Sequence, residues 1–166
     1  MKFYEWRYEW EAMEALVARC HPERKPRDRE WWSVVPTLVQ YAYPSIHLRP
    51  PEMIGYTQFT VAPKCLFGYD LGVHPDYRKR GLGTVLHAER LRIGARFGAT
   101  MMFGVTEPAN VAMRRLFEGS HMEEGELMRD YYRDVDPPIH GLPYAGGAET
   151  FAWAEAQPRE WRAGCS

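Results

Sequence analysis

The run Val73-His74-Pro75-Asp76-Tyr77-Arg78-Lys79-Arg80-Gly81-Leu82-Gly83-Thr84 decides the fold of this chain. It leaves an extended apolar segment and enters a helical one through a basic turn that carries two glycines. Such a turn presents backbone N–H groups at a helix N-terminus, where the macrodipole favours an anion. Gly81 and Gly83 have no Cβ, so a phosphate can come close to the backbone. Arg78, Lys79 and Arg80 add positive charge around it. The expected ligand is a phosphorylated carrier held by its pyrophosphate.

Upstream of the turn, Leu66 to Val73 reads as a central strand and Met53 to Ala62 as an alternating neighbour. Downstream, Thr84 to Phe97 reads as a helix with Leu82, Val85, Leu86, Ile93 and Phe97 on one face. Glu89 falls inside that face, where its plainest reading is a carboxylate reaching out to Arg92 or Arg96. Met101 to Val105 reads as the next strand, Asn110 to Phe117 as a short helix and Met122 to Tyr132 as a further strand. Towards the N-terminus, Phe3 to Tyr8 alternates like a strand and Glu9 to Cys20 has helical spacing. Arg29 to Tyr41 reads as a second helical stretch interrupted by Pro36, and Ile46 to Arg49 as a short strand. Alternating strands and helices predict an α/β sheet.

The chain has 166 residues, 45% of them hydrophobic, which suits one core. A net charge of −1 gives no bulk electrostatic reason to bind nucleic acid or an anionic membrane. Cys20, Cys65 and Cys165 are odd in number and widely spaced, which reads as reduced thiols in a cytoplasmic protein. Cys20-His21 has no second ligand pair nearby, so no metal site is expected. The sequence shows no signal-type apolar region and no long apolar span. Trp31 and Trp32 cannot both face one interior, so one is expected to line a cleft or a partner surface.

The basic turn in its strand-to-helix setting resembles the GNAT superfamily of acyl-CoA-dependent N-acyltransferases. That family's signature, Q/R-x-x-G-x-G/A, is matched by Arg78, Gly81 and Gly83. The resemblance runs through Asn110, Ala112 and Leu116 to Arg129-Asp130-Tyr131-Tyr132, about half the chain. It implies an α/β fold, a GNAT-like mixed central sheet with splayed central strands, flanked by helices on both faces. The domain would span residues 1–135, with a loop-rich tail over 136–166 in which Thr150 to Trp153 is the candidate for a final strand.

The resemblance also implies acetyl-CoA as co-substrate and a primary amine, on a small molecule or a protein, as acceptor. Leu71, Gly72 and Val73 would pair with the pantetheine arm as an added strand beside a bulge at Gly72. Arg78, Lys79, Arg80, Gly81, Leu82, Gly83 and Thr84 would cradle the pyrophosphate, and Asn110 would stand beside the cofactor.

The chain departs from the family pattern where catalysis is concerned. Phe117 occupies the place of a tyrosine acid, Phe67 and Val105 occupy glutamate positions, and His121-Met122 replaces Gly-Phe. Substitutes are Asp70 on the central strand, Glu107 after the next strand, and Tyr131 and Tyr132 further on. His74 and His121 are proton-relay candidates. Two functions stay open: an N-acetyltransferase, and a catalytically weak GNAT-fold protein that binds a protein partner or forms a homodimer. In texture the chain is similar to compact GNAT-like proteins of bacteriophages.

Overall fold

The computed structural model describes residues 1–22, 29–42, 51–129 and 149–154. Strands β1 (Lys2–Phe3), β2 (Thr37–Ala42), β3 (Glu52–Ala62), β4 (Cys65–Val73), β5 (Met101–Thr106), β6 (Glu123–Arg129) and β7 (Glu149–Ala154) form one sheet. Its order is β1-β2-β3-β4-β5-β7-β6. Only β4 and β5 are parallel, and α3 (Leu82–Arg96) makes the crossover between them. Helices α1 (Trp6–Cys20) and α2 (Arg29–Val34) cover one face, while α3 and α4 (Val111–Gly119) cover the other.

Each face has its own core. Met13, Leu16 and Cys20 of α1 and Trp32 of α2 pack with Val39, Tyr41, Met53 and Tyr56. On the other side Leu91 and Ile93 of α3 and Phe117 of α4 pack on Leu38, Phe59, Leu66 and Met102. Burial of such side chains contributes on the order of 1.5–3 kcal/mol each. Trp32 fills this interior, whereas the side chain of Trp31 lies outside the described part.

Three expectations need correction. The helix expected over Arg29 to Tyr41 stops at Val34, and Thr37–Ala42 is a strand paired with β3. Pro36 disfavours helix at the residue before it, and Thr-Leu-Val-Gln-Tyr is rich in β-formers. The strand expected over Phe3 to Tyr8 is only Lys2–Phe3, because α1 extends back to Trp6. On α3 the inward residues are Leu86, His87, Arg90, Leu91, Ile93 and Gly94, while Val85 and Phe97 are exposed. Glu89 does reach out, in a paired hydrogen bond to Arg92.

The bulge in β4 is at Tyr69, not at Gly72. Gln58 pairs with Asp70 and Phe59 with Gly68, leaving Tyr69 as the extra residue, whereas Gly72 pairs regularly with Tyr56. Gly72 answers a packing need instead, since a Cβ there would lie 2.4 Å from Cε1 of Tyr56. At the C-terminal side of the sheet, β7 enters between β5 and β6, antiparallel to both. The strand proposed over Ile46 to Arg49 lies outside the described residues.

Just past the C-cap of α4, His121 has a φ of 60°, in the left-handed region. The following Met122 is buried. A left-handed L-residue costs roughly 1–2 kcal/mol, of which the entropy of an unfolded glycine offsets roughly 0.5–1 kcal/mol. His121→Gly should therefore stabilise the fold by about 0.5–1 kcal/mol. An unmoved or lowered urea midpoint would contradict this.

Candidate active site

Strands β4 and β5 are paired only from Cys65↔Met101 to Gly68↔Gly104. Beyond that point β4 continues with β3 alone and β5 with β7 alone, so the sheet opens between them in a V. His74 N–H donates to the Ile54 carbonyl at 2.9 Å, which fixes the alternation along the antiparallel pair. Leu71 and Val73 consequently turn their backbone groups away from β3 and into the V. Two of those groups already have internal partners. Leu71 N–H donates to Oδ1 of Asp70 at 2.9 Å, and the Val73 carbonyl accepts from Nε of Arg78 at 3.0 Å.

The basic turn follows the open end of β4. Lys79 (φ 59°) and Gly81 (φ 78°) reverse the chain, and Gly81 is the N-cap of α3. The first intrahelical bond beyond the cap is Val85 N–H to the Gly81 carbonyl at 3.1 Å, so the N–H groups of Leu82, Gly83 and Thr84 precede it. No side chain caps them. An added Cβ would meet nothing within 4 Å at Gly81, and at Gly83 only ordinary contacts at 3.7 and 3.9 Å with Leu71 and Val73. Packing does not require glycine at position 83.

Arg78 also braces the fold. Its Nη2 donates to the Cys20 carbonyl at 3.0 Å while Nε holds Val73, bracing the end of α1 against the end of β4. Arg80 stacks over Tyr77 at 5.4 Å, and Lys79 is exposed. His74 is buried with both ring nitrogens engaged, Nδ1 accepting from Asp76 N–H at 3.2 Å and Nε2 lying 2.7 Å from Arg19. It caps the Pro75–Tyr77 turn.

On the α1/α2 face the bulge brings Asp70 beside the V. Its Oδ2 accepts from the Tyr56 hydroxyl at 3.1 Å, and Oδ1 lies 3.7 Å from Nε2 of His21. His21, directly after α1, keeps part of its side chain exposed and meets Tyr56 edge-on at 6.4 Å. The Nε2 that faces the carboxylate is itself buried, and 3.7 Å is an electrostatic separation rather than a hydrogen bond. Sequence reading missed His21, since 49 residues separate it from Asp70 and no local spacing links them. Adjacent Cys20 is inert by contrast, because burial pushes its thiol up to about 12.

Gly68 faces α3, so Phe67 faces the opposite side, where its ring meets Phe103 edge-on at 5.9 Å. The glutamate-type position at Phe67 is thus an apolar wall on the same side as Asp70. Glu107 leads the turn into α4, and its carboxylate makes no hydrogen bond among the described residues. Asn110 caps α4, its Oδ1 accepting from Met113 N–H at 3.1 Å. Phe117 is buried against Gly104 at the vertex of the V and packs on His87 at 5.8 Å. Tyr131 and Tyr132 lie outside the described residues.

A mixed sheet opened between two parallel strands, with a glycine-bearing helix start at the mouth of the opening, is the fold of the N-acetyltransferases. The ribosomal-protein-S18-alanine N-acetyltransferase from Escherichia coli superposes with a TM-score of 0.70 at 18% identity, over 93% of this chain and 90% of that one. Naa20 from Chaetomium thermophilum, solved with a bisubstrate analogue, gives 0.68 at 12% identity, over 97% and 88%. An acetyltransferase from Salmonella typhimurium, solved with its cofactor acetyl-CoA, gives 0.63 at 16% identity, over 92% and 90%. At these identities the likeness concerns the fold. The model of the Acetyltransferase (GNAT) family matches residues 3–121, and the chain belongs to that family. No curated protein matches it in sequence.

Proposed function

We propose that this protein is an acetyl-CoA-dependent N-acetyltransferase acting on a primary amine. The observation that carries the reading is the V between β4 and β5, with an uncapped helix N-terminus at its mouth and the Asp70–His21 pair on one face. The pyrophosphate of the donor would take the N–H groups of Leu82, Gly83 and Thr84, with Lys79 and Arg80 around it. Its pantetheine arm would run along the free edge of β4. The acceptor would enter from the α1/α2 side, along Phe67 and Phe103. His21, with the charge of Asp70 beside it, takes the amine proton as nitrogen attacks the thioester carbon. The carbonyl oxygen accepts the displaced electron pair and returns it as the C–S bond breaks, leaving amide and thiolate.

Titration calorimetry tests the donor half. The wild-type protein should bind acetyl-CoA, and Gly83→Leu should weaken binding at least tenfold, while Gly83→Ala, whose Cβ meets only ordinary contacts, should leave thermal stability unchanged. Absence of wild-type binding at millimolar ligand would overturn the reading. Thiol release from acetyl-CoA across a panel of amines tests the transfer. Donor binding without turnover on any amine would favour the alternative, a GNAT-fold binding protein.

A further inference from the structure

The buried face of α3 carries two polar side chains where a helix against a sheet ordinarily carries aliphatic ones. His87 and Arg90 are each 1% exposed. Arg90 donates from Nε to Nδ1 of His87 at 2.9 Å and from Nη1 to the Thr57 hydroxyl at 3.3 Å. Because Nδ1 accepts, the proton of the neutral ring belongs on Nε2. Burial and the adjacent guanidinium push the His87 pKa down to about 2, so the ring adds no charge. Two donors are left over: Nε2 of His87 and Nη2 of Arg90 are buried without a hydrogen-bond partner. No carboxylate lies within ion-pair distance of Arg90 among the described residues, and the opposite charge that acts on it from further off is Asp70. A buried cation with an unsatisfied N–H edge is costly, and an anion is what relieves it.

The position of this edge says which anion. A Cβ on Gly68 would lie 2.8 Å from Nη1 of Arg90, and one on Gly104 would lie 3.0 Å from Phe117. Gly68 and Gly104 are the last paired residues before β4 and β5 part. The guanidinium therefore lies under the vertex of the V, two turns along the helix whose N-terminus marks its mouth. A donor anchored by its pyrophosphate at the mouth, with its arm along β4, directs its acyl end at this vertex. Beside the guanidinium under Gly68 lies the flexible side chain of Met102, whose Cε would lie 2.5 Å from a Gly68 Cβ.

We infer that Arg90, steadied by His87, is the acyl-selecting residue of the donor site, and that it takes a short acyl thioester ending in a carboxylate in preference to a neutral one of similar length. The inference rests on the proposed acyl-CoA-binding function. Malonyl-CoA and succinyl-CoA are the anionic probes, and propionyl-CoA and butyryl-CoA the neutral controls, each titrated into wild-type protein and into Arg90→Met and Arg90→Lys. At least one anionic donor should bind tenfold or more tighter than its control in the wild type. Arg90→Met should erase the difference, with the denaturation midpoint measured alongside to show that the variant is folded. Arg90→Lys should retain part of the preference, which a purely packing role would not predict. Equal wild-type affinities for anionic and neutral donors would overturn the inference while leaving the transferase reading in place. Failure of every acyl-CoA to bind would overturn the transferase reading itself.

Discussion

His21→Asn and Asp70→Asn should each lower turnover about 10²–10⁴-fold, the range general-base help typically contributes, with acetyl-CoA affinity unchanged. Asparagine at 70 keeps an oxygen for the Leu71 N–H, so the strand edge stays intact and only the charge facing His21 is lost. The two residues act as one unit, and the double variant should be little worse than the poorer single. Wild-type turnover in both single variants would dismiss the pair, and a raised KM with unchanged kcat would assign it to acceptor binding.

Gly72→Ala should cost the fold about 1–3 kcal/mol or more, as overpacking of a tight core does. The added carbon would lie 2.4 Å from Cε1 of Tyr56 and 3.1 Å from Sγ of Cys20. Tyr56 is fully buried and cannot retreat, because Trp32 meets its ring edge-on at 5.7 Å and its hydroxyl donates to Asp70. Any shift of the ring also disturbs Asp70, so activity should fall alongside stability. Combining Gly72→Ala with Tyr56→Leu should recover stability but not activity. A denaturation midpoint of wild-type value in Gly72→Ala would show that the ring has freedom the packing denies it.

The basic turn, the strand before it and the helix after it were legible in the sequence because their signals are local: glycines, a basic cluster and a change of period. The segment from Arg29 to Tyr41 misled because its apolar residues fit both periods, and pairing with β3 decided the second half. Gly72 drew the bulge by the general rule for glycine in strands, yet the register slips at Tyr69 and Gly72 makes room for a ring instead. Asp70 could be named as a candidate from its place on the central strand. His21 could not, because only the docking of α1 on the sheet brings it there. Arg90 was visible in principle, four residues after Leu86 and three before Ile93, on the inward stripe of α3.

The brace made by Arg78 changes what a lesion in the signature would mean. One guanidinium ties the carbonyl before His21 to the strand end that faces the donor. The planar fork reaches two carbonyls at once, a geometry that a lysine ammonium on a single flexible stem does not reproduce. The proposed donor cradle and proton acceptor are therefore tied together, and the most recognisable letter of the motif is the tie-rod. Damage at that letter would blur affinity for both substrates together, and a drop in acetyl-CoA binding there would be no proof of a broken phosphate contact.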